Sequence, residues 1–513
     1  MSESVKKKKL VDKFIDAIEI AGNKLPPPPI LFFSLFIIVG IMAAIFKGMG
    51  LSMLNPATGK EVAVQNLFSQ SGLEWILGNL VKNFTGFAPL GLVITMTLAI
   101  GFCEESGMLV AMLRSALKDV PGSTVPYIIA FAGTIGNIAS DTAMVVIPPL
   151  AAIVYIGVKK HPIVGMLVGL AGAQAGFTAN VMVAGTDVLL QGLTNQALEA
   201  FMGKEAAAPY LVDATCNWFF MIASTFLCAA VIGFVSVKVL EPRFGQYQGI
   251  SDGDKMEEVT PLEIKGLRMS LVVSLLYIAL IVFGFFKGAL AGPNGKFVGS
   301  PLLRGLIPIL FVLFSLAGIT YGLVTKKFKS VKDINSAMVK QMTAMGAYIV
   351  FCFFCGQFQG LFNWTNLGTL LAIKGSNVLK SINFTGTTLC IAFILLCAFV
   401  NLFISSGSAK WAIFAPIFIP MFFQLGYQSG FTQLLYRIGD SPGNCFTPMS
   451  PYIWMVLGMA QAKYDKELKI GTMVSSMIPV AVVLQIAWIL MLVIWMALKL
   501  PIGPGAGFYL NTL

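Results

Sequence analysis

The feature that most constrains this chain is a series of apolar runs, each long enough, or nearly so, to cross a lipid bilayer. Examples lie at residues 30–46, 218–237, 271–286, 305–324 and 478–498. A helix needs about 20 apolar residues to cross about 30 Å of hydrocarbon. Only 12% of the residues are charged, about half the share in a soluble domain. The sequence therefore predicts an all-α polytopic membrane protein, and the lipid bilayer is its first expected partner.

Two apolar stretches contain a polar interruption near the middle. The stretch at 122–158 contains GNIASDTAMVVIPP, and the stretch at 386–428 contains NLFISSGSAKWAIFAP. Both motifs have an asparagine, a Ser-x-Ser/Thr-Ala core and a trailing proline. Basic residues flank 122–158 on both sides, whereas sparsely charged loops flank 386–428. Each stretch should therefore enter and leave on one side of the membrane, which predicts two re-entrant helical hairpins, one in each of two inverted repeats.

Lysine and arginine are concentrated in one set of alternate loops, which should be cytoplasmic. The loops of this set lie at 1–24, 104–125, 158–161, 238–268, 326–340 and 462–471. The remaining apolar stretches give nine transmembrane helices, near 30–47, 84–103, 162–194, 217–238, 269–286, 305–325, 341–362, 431–461 and 472–498. An odd number of crossings predicts a cytoplasmic N-terminus and an outer C-terminus, in a bacterial-type inner membrane. The loop lysines explain the net charge of +11, so no nucleic-acid partner is expected.

This topology divides the chain into four parts. Residues 1–29 form a cytoplasmic N-terminal segment with apolar residues at helical spacing, typical of an amphipathic helix on a membrane surface. Residues 30–240 are the first repeat half, 241–267 a cytoplasmic linker, and 268–513 the second repeat half.

A further break follows each predicted hairpin. The segment GAQAGFTANVMVAGTDVLL interrupts an apolar helix, and LLYRIGDSPGNCFTPMSPYIW is too rich in glycine and proline for a continuous one. We therefore predict discontinuous helices whose ends meet the two hairpin tips near the midplane. Such helix ends commonly hold substrates and coupling ions in secondary transporters.

Five ionisable residues lie within these membrane-depth segments: Asp141, Asp187, Lys410, Arg437 and Asp440. An unpaired charge there costs at least about 2.5 kcal/mol, so a functional role is the default hypothesis. Arg437 and Asp440 are three residues apart and able to pair on one helix face, which would only neutralise them. In the functional alternative, Arg437 donates two hydrogen bonds to an anionic substrate and Asp440 responds to a proton or Na⁺.

The other three charges, and one tryptophan, each have two interpretations. Asp187 has no basic residue within a helical turn, so it is either an ion or proton site or a cap at the break. Asp141 is either functional or the cap of its hairpin's second arm. Lys410 either extends to the interface or pairs with an aspartate across the repeats. Trp411 either stacks on an aromatic substrate or packs in the core.

Motifs along nearly the whole chain resemble those of the AbgT family, the p-aminobenzoyl-glutamate transporters. They include IEIAGNKLPPP at 18–28, NFTGFAPLG at 83–91, SDTAMVVIPP at 140–149, GFTAN at 176–180, TDVLLQG at 186–192, SGSAKWAIFAPIFIPMF at 406–422, YRIGDS at 436–441, SPYIW at 450–454 and LPIGPG at 500–505. The resemblance implies a homodimer of nine-helix, two-hairpin subunits. It also implies transport of p-aminobenzoyl-glutamate and related folate breakdown products, or export of sulfonamides.

Residues and resemblance together give the expected site of a secondary active transporter. The predicted substrate-binding residues are Asn180, Asn401, Ser405, Ser406, Gly407, Ser408, Trp411, Arg437 and Pro448. The predicted ion- or proton-coupling residues are Asp187, Asp440, Asn137, Ser140 and Asp141. The expected substrate is a small anionic molecule, and no cofactor is expected beyond a coupling ion, H⁺ or Na⁺.

A membrane enzyme and a passive channel are the alternatives to a transporter. A membrane enzyme would need clustered carboxylates for Mg²⁺ or histidines for metal and acid–base chemistry. The sequence has no DDxxD cluster and no Walker loop, and its only histidine, His161, lies in a loop. The sequence therefore predicts that the chain is not an enzyme. A passive channel is compatible with the helix breaks, and only a flux measurement distinguishes it from a carrier.

Overall fold

The computed structural model describes residues 26–54, 59–117, 121–139, 141–247, 258–292, 300–404, 406–447 and 450–510. Most of the predicted amphipathic segment, residues 1–25, lies outside the described residues. Three predicted site residues, Ser140, Ser405 and Pro448, also lie outside them.

Nearly all of the described chain is helical. The helices of the first half are α1 (Pro28–Gly48), α2 (Gln70–Thr85), α3 (Ala88–Glu105), α4 (Met108–Leu117), α5 (Val125–Gly136), α6 (Asp141–Gly157), α7 (Pro162–Ala175), α8 (Gly185–Met202), α9 (Lys204–Ala207), α10 (Trp218–Val235) and α11 (Glu241–Phe244). Those of the second half are α12 (Pro261–Phe286), α13 (Pro301–Arg304), α14 (Leu306–Val324), α15 (Val331–Ala344), α16 (Gly346–Trp364), α17 (Leu367–Ser381), α18 (Gly386–Asn401), α19 (Gly407–Gln424), α20 (Ser429–Asp440), α21 (Pro451–Lys463) and α22 (Ile470–Ala497). A short antiparallel pair of strands, β1 (Ser52–Leu54) and β2 (Glu61–Ala63), follows α1.

Several helices are long and apolar enough to cross a membrane. In the described part of the chain there are five: Pro29–Gly48, Trp218–Phe244, Pro261–Phe286, Leu306–Val324 and Ile470–Ala497. A sixth results if the helices Val331–Thr343 and Tyr348–Trp364, which are bent by 44° relative to one another, form one span. The chain is therefore a multi-pass membrane protein. These continuous spans are fewer than the nine predicted crossings. Part of the difference is that two predicted crossings, 162–194 and 431–461, fall on shorter helices with a break between them.

Helix α12 shows how the sequence makes a lipid-facing span. Thr260 and Glu263 form a capping box at its start, and Pro261 occupies the first turn, where a missing N–H costs nothing. Its 26 residues rise about 39 Å at about 1.5 Å per residue, which exceeds the hydrocarbon thickness. Only 6% of the most apolar segment of this helix is buried inside the protein. The large apolar side chains on the rest of its surface are suited to contact with lipid.

Shorter interrupted helices form the centre of the molecule. Helices α5 and α6 are joined through a 3₁₀ turn, and α18 and α19 are separated by residues 402–406. Residues 176–184 separate α7 from α8, and a break containing the 3₁₀ turn Pro442–Cys445 separates α20 from α21. Helix breaks therefore occur at all four places where the sequence predicts them.

The first helix pair is held against α7 by a close contact between small residues. A Cβ atom added to Gly172 would lie 2.6 Å from the carbonyl oxygen of Ala130 and 3.0 Å from the Cα atom of Gly133. Neither backbone atom is able to move aside as a flexible side chain would. Glycine is thus required for the approach of α5 to α7, as in other membrane helix pairs.

We expect Gly172→Ala to lower the free energy of unfolding by about 1–3 kcal/mol, the usual effect of overpacking. Gly157→Ala is the matched control, because a Cβ atom at Gly157 meets nothing within 4 Å. Thermal unfolding of the two purified variants in detergent checks this prediction. Equal melting temperatures would show that α5 and α7 are not in contact as described.

Candidate functional site

Three of the four helix breaks meet at α20, a helix in which every residue from Ser429 to Asp440 is buried. This burial is unusual because α20 carries two charged side chains as well as Thr432 and Gln433. Buried polar groups are stable only when they are hydrogen bonded or paired. The partners of α20 come from α8, from α10 and from the facing ends of α18 and α19.

Asp187 and Arg437 form the first buried ion pair, with 2.7 Å between Asp187 Oδ1 and Arg437 Nη2. The other carboxylate oxygen, Oδ2, accepts a hydrogen bond from the backbone N–H of Ala184 at 2.7 Å and so caps α8. Arg437 also donates to the carbonyl oxygen of Thr178 in the break before α8, and to Asn217 Oδ1 at 3.5 Å. Asp187 therefore caps α8, one of the two roles that the sequence left open, and also pairs with Arg437.

Lys410 and Asp440 form the second buried ion pair, with 2.5 Å between Lys410 Nζ and Asp440 Oδ1. Lys410 Nζ also donates to Asn401 Oδ1, and Asn401 Nδ2 donates to the backbone carbonyl of Asp440 at 2.5 Å. The hydroxyl of Tyr436 donates to Asp440 Oδ1 at 3.0 Å. Asp440 Oδ2 is buried without a hydrogen-bond partner. Lys410 therefore pairs with an aspartate, but with one of its own half of the chain, so the predicted pairing across the repeats is wrong.

The structure corrects one interpretation of the sequence, because Arg437 and Asp440 do not pair with each other. Arg437 turns toward Asp187 of the first half, and Asp440 toward Lys410 of α19. The reason is that α20 is buried on all sides, so residues three apart along it meet different neighbouring elements.

Trp411 lies inside the protein and has no exposed surface. Its ring stacks on that of Tyr436, with 4.6 Å between the centroids. Its indole N–H donates to Thr194 Oγ1 at 3.0 Å, and Thr194 donates to Gln433 Oε1 at 2.7 Å. Gln433 in turn donates to Asn217 Oδ1 at 3.0 Å. A chain of hydrogen bonds therefore connects Trp411 to Asn217, which also accepts from Arg437.

The two broken helices also touch directly at their breaks. The hydroxyl groups of Thr178 and Ser441 lie 2.6 Å apart. Nearby, Asn180 is 1% exposed, and neither atom of its side-chain amide has a hydrogen-bond partner. A buried amide without partners is rare in a folded protein and indicates a group available to a ligand.

The remaining predicted residues have simpler contacts. Ser406 caps α19 by accepting from the N–H of Ala409, and its hydroxyl lies 3.2 Å from that of Ser408. The carbonyl of Gly407 accepts from the Tyr436 hydroxyl at 2.5 Å. Asn137, which follows α5, donates to the carbonyl of Thr134 near the end of that helix. Helix α6 begins at Asp141.

Sequence reasoning missed several residues of this network: Thr178, Thr194, Asn217, Gln433, Tyr436 and Ser441. Gln433, Tyr436 and Arg437 are spaced three and one residues apart, so they recur on neighbouring faces of one helix. Polar residues at such spacing within an apolar segment were a usable signal. Among the described residues, no group of three or more His, Cys, Asp or Glu side chains is arranged to hold a metal ion.

Comparison with known proteins identifies the family. The model of the AbgT transporter family, ABG_transport, matches residues 13–510. The chain belongs to the AbgT family. It is 37% identical over 491 residues to the p-aminobenzoyl-glutamate transport protein of Escherichia coli (strain K12), with 95% of each chain covered. The resemblance noted from the motifs is thus confirmed.

Two solved structures of transporters share the fold. The YdaH transporter of Alcanivorax borkumensis has a TM-score of 0.87 and 33% identity, and the match covers 93% of this chain and 100% of that one. MtrF of Neisseria gonorrhoeae, described as illuminating a class of antimetabolite efflux pumps, has a TM-score of 0.88 and 39% identity. That match covers 96% of this chain and 100% of MtrF.

Proposed function

We propose that the chain is a secondary active transporter that moves p-aminobenzoyl-glutamate, or a related aromatic amide from folate breakdown, across the inner membrane. Transport is coupled to H⁺ or Na⁺. The observation that carries this proposal is the pair of buried ion pairs, Asp187–Arg437 and Asp440–Lys410, where three helix breaks meet. Charges at this depth are costly and are typical of substrate and ion pathways.

Polar atoms left without partners support a polar substrate at this place. They are Arg437 Nε and both side-chain atoms of Asn180. Arg437 Nε would donate to a substrate carboxylate, and Asn180 to the amide or the second carboxylate. The paired rings of Trp411 and Tyr436, which the hydrogen-bond chain from Trp411 connects to Arg437, would bind the aromatic ring once their own contact opens. Asn401, Ser405, Ser406, Gly407, Ser408 and Pro448 complete the proposed substrate site.

Coupling is proposed to act through Asp187 and Asp440, because each carboxylate holds a cationic side chain that a proton or an inorganic cation is able to replace. Asn137, Ser140 and Asp141 at the first hairpin are the other proposed ion-coupling residues. Exchange of the partner changes the local charge, and a carrier domain crosses the membrane more readily when its net charge is near zero.

The proposed architecture has nine crossings and two re-entrant hairpins, 122–158 and 386–428, in inverted repeats. Buried helix ends that stop inside the protein support it, since irregular backbone at membrane depth survives only where it is buried or lines a cavity. The N-terminus is proposed to be cytoplasmic and the C-terminus outside. The functional unit is proposed to be a homodimer in which the hairpin-bearing part of each subunit moves.

Uptake of labelled p-aminobenzoyl-glutamate into proteoliposomes tests the function. We expect accumulation above the outside concentration under a Na⁺ gradient or a pH gradient, and none without a gradient. Asp187→Asn should abolish the accumulation while leaving the protein monodisperse in detergent. Equal uptake with and without a gradient would indicate a passive channel, and full uptake by Asp187→Asn would count against the proposed site.

The second candidate is export of antimetabolites such as sulfonamides. The observation that favours it is the 39% identity to MtrF, whose structure is described in terms of antimetabolite efflux. Proteoliposomes loaded with a labelled sulfonamide distinguish the two functions. Gradient-driven release of the label, together with no uptake of p-aminobenzoyl-glutamate, would favour export.

A further inference from the structure

Lys410 occupies a position where a lysine is unfavourable for two reasons. Helix α19 begins at Gly407, so Lys410 lies in its first turn, where the partial positive charge of the helix end repels a cation. The side chain is also 1% exposed, so the ammonium has lost its water. Both effects must be offset by the oxygen atoms around it.

Those oxygen atoms come from the ends of two other helices. Asn401 is the last residue of α18 and Asp440 the last residue of α20. Lys410 Nζ contacts Asn401 Oδ1 and lies 2.5 Å from Asp440 Oδ1. Amide and carboxylate oxygens at the ends of broken helices are the ligands that hard inorganic cations take in proteins. The ammonium thus lies where a coupling cation would find its ligands.

The charges of the site also cancel without any added ion. Among the side chains that the structure describes, which do not include that of Asp141, the buried charged ones are Asp187, Lys410, Arg437 and Asp440, two of each sign. Each acid has its own basic partner. A Na⁺ ion added beside Asp440 would either displace the ammonium or leave an uncompensated positive charge in a dry environment.

We propose that the Lys410 ammonium is a resident cation that takes the place of Na⁺ at Asp440. This inference deepens the proposed function and rests on it only for the consequences in transport. In the carrier, Na⁺ does not bind at this carboxylate, and a proton is the cation left to exchange there. Removal of the ammonium should expose a Na⁺ site made of the side-chain oxygen atoms of Asp440 and Asn401.

The first test is Na⁺ binding, measured by thermal unfolding of the purified full-length chain without substrate. NaCl is compared with choline chloride at equal ionic strength. We expect no Na⁺-specific shift in the wild type, and a rise of about 2 °C or more for Lys410→Met. Lys374→Met, which removes an exposed lysine of α17, is the matched control and should show no shift. The double variant Lys410→Met/Asp440→Asn should show none either, because the carboxylate charge is gone.

Two outcomes would overturn the proposal. One is a Na⁺-specific rise in the wild type that Asp440→Asn abolishes, because Na⁺ would then bind beside the ammonium. The other is a folded Lys410→Met protein without a Na⁺ response. Should Lys410→Met fail to fold in choline chloride, recovery of folding in NaCl supports the proposal. Failure to fold in both salts also overturns it, because Na⁺ would then not replace the ammonium.

The second test is transport. Wild-type uptake of labelled p-aminobenzoyl-glutamate should be unchanged when choline replaces Na⁺, whereas any uptake by Lys410→Met should require Na⁺. Uptake by Lys410→Met that depends on Na⁺ no more than uptake by the wild type does would contradict the inference. The thermal measurement contains no substrate, so a wrong substrate assignment would abolish uptake but leave the difference between the wild type and Lys410→Met in place.

Discussion

Arg437→Met abolishes gradient-driven uptake and lowers the free energy of unfolding by about 3–5 kcal/mol. This is the expected result because the substitution leaves the carboxylate of Asp187 buried and without its cation. Methionine retains the volume of the side-chain stem, so the loss is one of charge rather than packing. Uptake into proteoliposomes and thermal unfolding in detergent measure the two effects.

The double variant Asp187→Asn/Arg437→Met separates stability from function. Removing both charges should restore much of the lost stability, because no uncompensated ion remains, but should not restore uptake. Lys160→Met is the control, since it breaks the ion pair with Glu241 at 2.8 Å, whose side chains are 21% and 23% exposed. We expect it to cost at most about 1 kcal/mol and to leave uptake unchanged. Normal uptake by Arg437→Met would remove the central ion pair from the mechanism.

Trp411→Ala is the second substitution with a large expected effect. It removes a fully buried ring and should cost about 3–5 kcal/mol of stability, as for other buried aromatic residues. Uptake should fall below detection, because Tyr436 loses its stacking partner. The hydroxyl of Tyr436 donates to Asp440, so the Lys410–Asp440 pair is disturbed as well. The informative variant is Trp411→Phe, which retains a ring but no longer donates to Thr194.

Trp488→Phe is the matched control for Trp411→Phe. Trp488 is also fully buried, and its indole N–H donates to Ser224 Oγ at 2.7 Å, away from the ion pairs. Both variants should lose a similar amount of stability, about 1 kcal/mol for one hydrogen bond. Only Trp411→Phe should raise the KM for uptake. A similar KM in both variants would mean that Trp411 is a packing residue.

The sequence predicted the fold through signals that are local. Apolar runs of bilayer length, and glycine, proline and serine within them, reveal spans and breaks without knowledge of what lies beside them. The breaks at 176–184 and 441–450 were found in this way. The number of continuous spans was harder to predict, because a crossing built from short helices has the same composition as a continuous one.

The pairing within the site could not be read from local signals. Asp187 and Arg437 are separated by 250 positions, and only the approach of α8 to α20 brings them together. Helical spacing suggested that Arg437 pairs with Asp440. Spacing along one helix does not take account of the neighbouring elements, which surround α20 on every side. Lys410 gave two interpretations because its partner lies on another helix. Trp411 was predicted as a site residue from its place in the second predicted hairpin. Its stacking on Tyr436 is visible only in the three-dimensional structure.

Helix α20 has a consequence for the biosynthesis of the protein. It carries Arg437 and Asp440. When a helix enters the membrane from the translocon by itself, a charged residue of either kind at its centre costs about 2.5–3.5 kcal/mol of insertion free energy. Its twelve residues are also too few to span the bilayer independently. The partner of Arg437 is synthesised much earlier, in α8. The second half of the chain therefore depends on the first half for its entry into the membrane, and assembly of the protein has a fixed order.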